Sequence, residues 1–167
     1  MSFMDIPETG RVLAEARRVL KPCGFLPFSI SHPCFDTPHR RNLRDAHGLT
    51  YALEVGDYFR NLDGEVDEWL FGAAPLHAKQ GLPKFKPPRF TRTISQWLNL
   101  LIDTGFWLER VAEPRPGDET VRGCPDVQDA QVVAYFLHVR VRKPEQATTD
   151  GATQPSKTAR GSGSLDP

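Results

Sequence analysis

Phe3-Met4-Asp5-Ile6-Pro7, then Leu13-Ala14-Glu15-Ala16-Arg17-Arg18-Val19-Leu20-Lys21-Pro22-Cys23-Gly24, then Phe25-Leu26-Pro27-Phe28-Ser29-Ile30-Ser31-His32-Pro33-Cys34: these stretches decide how the chain folds. In turn they read as the end of a strand, an amphipathic helix, a sharp turn, and a strand that stops at a polar loop. Asp5 and Glu8 stand three apart, a capping-box-like spacing, and Pro7 suits a first helical turn. Val12, Leu13, Ala16, Val19 and Leu20 share one helical face, and Pro22 stops the helix. A type II turn with Pro22 at its first central position asks for a positive φ at Cys23, which costs a residue with a Cβ about 1–2 kcal/mol. In the strand that follows, Leu26, Phe28 and Ile30 lie on one face. Pro27 cannot donate to a ladder and marks an edge.

Working outward, two strand ends come into view, Phe3-Met4-Asp5 and Ser31-His32-Pro33. Ligands of a doubly wound α/β sheet sit outside such carboxyl ends, so these loops are the expected walls of a site. Residues 33–90 read as an irregular, lid-like insertion with clustered Pro and Gly. It holds an acidic stretch (Glu54, Asp57, Asp63, Glu65, Asp67, Glu68) and the aromatics Tyr51, Tyr58, Phe59, Trp69 and Phe71. From Lys79 to Arg92 there is no acid.

A second helix is specified by Ile94, Trp97, Leu98, Leu101 and Ile102, capped by Thr91 or Thr93 and ended by Gly105. Phe106 to Val111 reads as a strand, Arg115–Asp129 as a loop, and Val132–Arg142 as a final strand in which Val133, Tyr135, Leu137, Val139 and Val141 alternate with the other face. The short loop predicts that the last two strands pair antiparallel. From Pro144 onward the composition is that of a disordered tail.

The 167 residues suffice for one domain with a core, and 39% hydrophobic residues suit a soluble chain. Twenty-one basic and twenty-one acidic residues cancel, so bulk charge points to neither nucleic acid nor membrane. Cys23, Cys34 and Cys124 form no CxxC pair, which favours free thiols in a reducing, cytoplasmic setting. No apolar run reaches the roughly 20 residues of a membrane span, and the N-terminus does not read as a signal peptide.

In order and spacing these pieces resemble the C-terminal half of a class I, type 11-like S-adenosylmethionine-dependent methyltransferase. The residues that carry the resemblance are Phe3 to Pro7 with Leu13 to Phe25; Phe28-Ser29-Ile30-Ser31-His32-Pro33; Arg92-Thr93 with Trp97, Thr104-Gly105-Phe106 and Glu113-Pro114; and Tyr135-Phe136-Leu137 with Arg142-Lys143-Pro144. Cys23 stands where the family usually has the first of two glycines. The resemblance implies an α/β, Rossmann-like methyltransferase sheet of order strand-helix-strand-lid-helix-antiparallel hairpin over residues 1–143, with a lid at 33–90 and a tail at 144–167. It also implies that the cofactor-binding N-terminal half, on the order of 100 residues, is missing. The glycine-rich turn of that half has no counterpart: the one G-x-G, Gly161-Ser162-Gly163, follows no strand. On this reading the chain is a truncated methyltransferase, weak or inactive alone.

By the resemblance, Ser2, Phe3 and Met4 approach the S-adenosyl-L-methionine sulfonium, and Asp5 faces a small-molecule substrate. From the residues alone, Asp5 serves equally as a helix cap. His32 ends its strand as a candidate base for an acceptor proton, or only orders its loop. Tyr58 and Trp69 line a substrate pocket or form the lid's own small core. His32, Cys34 and His39 match no standard zinc spacing, and no metal is expected. Lys79 to Arg92, with Phe85 and Phe90, reads as a solvated lid edge rather than a nucleic-acid groove. A non-catalytic interaction module is the competing function, because a half-sheet exposes an edge through which copies self-associate.

Overall fold

The computed structural model describes residues 2–70 and 81–145. Ser2–Asp5 is a single 3-10 turn where the sequence reads as a strand end. Among the described residues no strand lies beside the segment to complete a ladder; instead the Met4 carbonyl accepts from Phe90 N at 2.9 Å and the Phe3 ring packs edge-on against Phe28 at 5.0 Å. Helix α1 spans Thr9–Val19, later than a cap at Asp5 would set it; Glu8 occupies the N-cap and makes no side-chain capping bond. Thr9 Oγ1 donates back to the carbonyls of Ile6 and Phe3, which seals the entry. The buried stripe of α1 centres on Thr9 and Leu13, whereas Val12 and Val19 are exposed. A buried threonine carries no hydrophobic signal, so the sequence pattern places the stripe one position off.

The turn after α1 closes through Gly24 N to Lys21 O at 2.9 Å, and Cys23 has φ 60°, the left-handed conformation the turn type demands. Strand β1 is Phe25–Ser31, β6 is Trp107–Ala112 and β7 is Phe136–Arg142. They form one antiparallel sheet in the order β1-β7-β6, with Phe28 opposite Val139 and Val111 opposite the same residue. The last strand begins at Phe136 rather than Val132, because residues 125–131 wind into a 3-10 segment and 118–123 into the short helix α3. The expected loop from Arg115 to Asp129 is therefore largely helical.

Helix α2, Ile94–Asp103, is built as its sequence predicts. Thr93 and Gln96 make a reciprocal capping box. At the other end Gly105, at φ 83°, donates to Ile102 O and Phe106 N donates to Leu101 O, a Schellman closure. The packed face of the sheet (Ile30, Leu137, Val139, Val141) meets Leu13 of α1, Trp97 and Leu101 of α2, and Phe106 in one buried cluster. Each such side chain contributes about 1.5–3 kcal/mol by leaving water. Among the described residues no helix covers the opposite face. Its alternate positions carry Phe25, Arg140 and Arg142, with Glu109 accepting from Arg140 at 2.6 Å and Arg142 at 2.9 Å, and Arg140 stacked 3.9 Å from the Phe25 ring centre.

The flanking bonds of β1, His32 N to Tyr135 O and Lys143 N to Gly24 O, set which residues bond to β7. By the two-residue alternation of an antiparallel ladder, Leu26, Phe28 and Ile30 face β7, while Phe25, Pro27, Ser29 and Ser31 turn their backbone nitrogens to the outer edge. Pro27 thus sits where its missing N–H costs no bond to β7.

The lid is less irregular than its sequence reads. Strands β2 (His39–Arg44) and β3 (Thr50–Gly56) form an antiparallel hairpin, and β4 (Glu65–Val66) pairs with β5 (Pro88–Arg89). The β2 sequence hides its strand because it is polar on both faces. Its turn is chemically explicit, with Asp45 Oδ1 accepting from His47 N and Leu49 N, and Gly48 at φ 80°. Asp129 clamps the hairpin to the 125–131 segment: its carboxylate accepts from Asn42, Thr50 and Arg44 at 2.5, 2.6 and 2.9 Å. Tyr135 accepts from Asn42 on the same hub, and burial pushes its phenol up from the ordinary value. Phe71 and the tail residues 146–167 lie outside the described residues.

Candidate functional site

The first turn, the end of β1 and the lid's return segment meet at one junction. Ser31 N donates to Met4 Sδ at 3.1 Å, Phe90 N to Met4 O at 2.9 Å, Arg92 Nη2 to Pro7 O at 3.1 Å, and Ile94 N to the Tyr58 hydroxyl at 3.0 Å. Thr91 ties the lid loop to the same place, accepting from Leu62 N and donating to Arg60 O. These bonds frame a cavity of 360 Å³ walled by Pro7, Tyr58, Phe59, Phe90, Arg92 and Gln96. Beside it lies a recess of 20 Å³ lined by Met4, Ser31, Tyr58, Arg89, Arg92 and Trp97. Tyr58, Phe90 and Arg92 belong to both.

The structure brings some of the expected residues here and leaves others elsewhere. Met4 and Tyr58 are at the junction. Phe3 packs into the hydrophobic cluster, and its carbonyl accepts from Thr9. Ser2 belongs to the 3-10 turn, and Asp5 closes it without lining either cavity. Trp69 is on the lid, its ring 5.0 Å from that of Phe85 across an isolated bridge, and lines neither cavity.

His32 is buried, with both ring nitrogens engaged. Nδ1 accepts from Cys34 N at 3.2 Å, which leaves the proton on Nε2 to donate to Glu113 at 2.7 Å. The His32 carbonyl accepts from Phe35 N and Asp36 N, and its ring tilts against Phe35 at 4.6 Å. This geometry fixes the loop after β1 and offers no free nitrogen to a substrate. His39 donates instead toward Glu54 on the hairpin, and among the described residues no three His, Cys, Asp or Glu side chains converge as a metal group would need.

The acid-free run ending at Arg92 contains the residues that sequence reading undervalues. Lys86 pairs with Glu68 at 2.8 Å in the open. Arg89 is not a solvated lid edge: it bridges Asp36 at 2.6 Å and Asp67 at 3.2 Å. Burial pulls its guanidinium down, but the two carboxylates outweigh that and hold it above its ordinary value. Arg92, three residues on, has no carboxylate partner among the described residues. Its guanidinium lies 5.2 Å from the Trp97 ring centre, Nη1 is buried without a hydrogen-bond partner, and burial pushes the group down. The absence of acids from the run is the only sequence signal for this; the two arginines are told apart by the fold.

No protein-family model matches the sequence, and neither does any curated protein. Solved structures do. An S-adenosylmethionine dependent methyltransferase from Mesorhizobium loti superposes with a TM-score of 0.59 at 24% identity, over 83% of this chain and 57% of that one. A protein from Listeria monocytogenes, provisionally described in the same terms, gives 0.59 at 22% identity, over 84% of this chain and 57% of that one. The fold is methyltransferase-like. The chain spans little more than half the length of either neighbour, and at these identities the likeness is one of fold. Among the described residues no helix is long and apolar enough to cross a membrane.

Proposed function

We propose that this chain forms the acceptor side of an S-adenosylmethionine-dependent methyltransferase, with a small molecule as methyl acceptor. The observation that carries the reading is the 360 Å³ cavity between the lid, Pro7 and the start of α2, within a fold shared with methyltransferases. Its size suits a small-molecule site, and its lining sets Tyr58, Phe59 and Phe90 among the polar side chains of Asn61, Asp63, Thr91, Arg92 and Gln96. Tyr58 and Phe90 wall the cavity, and the bonds from Phe90 N to Met4 and from Arg92 to Pro7 fix those walls. Orientation of an acceptor in such a site contributes to rate without a base, in keeping with the engaged nitrogens of His32.

The chain's own residues do not make a complete seat for the cofactor. The carbonyls of Phe3 and Met4 already accept from Thr9 and Phe90, Met4 Sδ from Ser31, and the only G-x-G lies at 161–163. Calorimetric titration with S-adenosylmethionine is accordingly expected to show no low-micromolar binding to this chain; such binding overturns the division of labour. Joined behind the N-terminal part of the Mesorhizobium loti protein, the chain is expected to transfer labelled methyl groups to small molecules. A chimera that folds and binds cofactor yet transfers none refutes the acceptor-side reading.

The bare sheet face favours a second reading, a docking module without catalysis. Phe25, Trp107 and Phe136 are exposed, and an open groove of 400 Å³ runs over Pro27, Ser29, Arg110, Ala112, His138 and Arg140. Sedimentation that shows a monodisperse monomer at high concentration argues against self-association through this half-sheet.

A further inference from the structure

We propose that the cavity between the lid and the start of α2 binds a carboxylate through the guanidinium of Arg92, so that the methyl acceptor is an anionic small molecule. The identification of the ligand as an acceptor rests on the methyltransferase reading; the carboxylate site itself does not.

The starting point is a half-buried guanidinium that has one buried, unpartnered nitrogen and, among the described residues, no counter-charge. Arg92 Nη1 is the one buried side-chain nitrogen or oxygen among the described residues that has no hydrogen-bond partner. A guanidinium stays charged in any protein setting, and leaving a charged donor buried and unpaired is costly. The same segment shows how this fold satisfies an arginine when the purpose is structural: Arg89 receives two carboxylates. Arg92 receives one backbone carbonyl, Pro7 O, and the face of Trp97. Residues 71–80 of the lid contain no acid.

The surroundings match a carboxylate ligand. Of the other charged groups at the 360 Å³ cavity, Arg60 is bound to Glu65 at 2.7 Å, and Asp63 is exposed on the rim. Tyr58, Phe59 and Phe90 supply aromatic walls for an apolar body. The planar fork of a guanidinium binds a carboxylate through two parallel bonds, a geometry a neutral amide does not reproduce. The rival is a single water in the 20 Å³ recess, which Arg92 also lines and which is large enough to hold one.

The test uses the full chain, with sodium benzoate as probe and benzamide as its neutral counterpart. Nitrogen–proton correlation spectra follow the Arg92 Nε–H and the Trp97 indole. Benzoate is expected to shift both in a saturable way, with affinity about tenfold or more above benzamide, the factor expected of a charge-assisted bidentate pair. Arg92→Lys is expected to weaken benzoate binding and Arg92→Gln to bring it down to that of benzamide. If Arg92→Gln does not fold, the benzoate–benzamide ratio on the unaltered chain decides alone. Equal binding of the two probes overturns the proposal. So does the absence of benzoate binding, the outcome expected if a buried water alone satisfies Nη1. Because no cofactor enters this assay, a chimera that transfers no methyl group would refute the acceptor assignment and leave the carboxylate site standing.

Discussion

The sheet–helix half and the lid are held together by different physics. In the first, Leu13, Ile30, Trp97, Leu101, Leu137, Val139 and Val141 exclude water from one continuous cluster. In the second, few side chains are fully buried, and the structure hangs on hubs: Asp129 gathers Asn42, Thr50 and Arg44, and Arg89 gathers Asp36 and Asp67. Apolar burial is non-directional and sums over many contacts, so it tolerates the loss of any one direction. A polar hub is directional, and loss of its centre strands every partner at once. The lesson is that the two halves answer differently to a single substitution: the cluster loses part of a shared apolar area, whereas the lid loses every bond a hub had gathered.

The largest effect is expected from Leu101→Ala, which removes a fully buried side chain facing the sheet. Thermal or denaturant melting should show a loss of about 2–5 kcal/mol, with all probes moving together. A loss under 1 kcal/mol, on the order of a surface change, would mean the cluster is not the global core. Next comes Asp36→Ala, which leaves the half-buried Arg89 with only Asp67. Allowing for the residual exposure of both side chains, a loss of roughly 1–3 kcal/mol is expected. Amide exchange should rise around β4 and β5 while the sheet stays protected; equal rises in both halves would break the comparison. Asp129→Ala should cost about 1–2 kcal/mol and loosen 39–56 in exchange experiments, again without touching α2.

The smallest effect sharpens the contrast through pH. The hydrogen bonds from Arg142 and then Arg140 hold the Glu109 carboxyl below its ordinary value of 4.5, and those from His39 and Arg41 do the same for Glu54. A carboxylate lowered on folding contributes stability that is complete above 4.5 and is lost as pH falls through its folded value. Both groups are exposed, so the change is slight. Glu109→Gln should flatten the acid limb of a stability–pH curve, and an unchanged limb would show that the arginine–glutamate ladder on the open face is ornamental.

How much of this was legible in the sequence follows the same division. Thr93, Gln96 and Gly105 state the ends of α2 in local chemistry, and the alternation of Leu137, Val139 and Val141 states which face of β7 is buried. Such signals act within a few residues. The buried face of α1 escapes an apolar pattern because Thr9, a polar residue, sits on it, and β2 gives no strand signal because its sequence is polar on both faces. Arg92 illustrates the rest. Its difference from Arg89 depends on carboxylates 53 and 22 residues away from the latter, a relation no local pattern encodes. The place of His32 at a strand end is local, but its partner Glu113 lies 81 residues later.

Pro27 has a consequence for how copies of this chain treat one another. An exposed strand is ordinarily an open zipper, ready to recruit the next strand rung by rung. Along the outer edge of β1, Pro27 has no hydrogen to give and that of Ser31 is taken by the Met4 sulfur, so only Phe25 and Ser29 present one. A zipper with its middle tooth missing and its last tooth closed does not run. Growth of β1 onto β1 is thereby discouraged at the outset, which leaves β6, exposed along its whole length, as the less guarded border of the sheet.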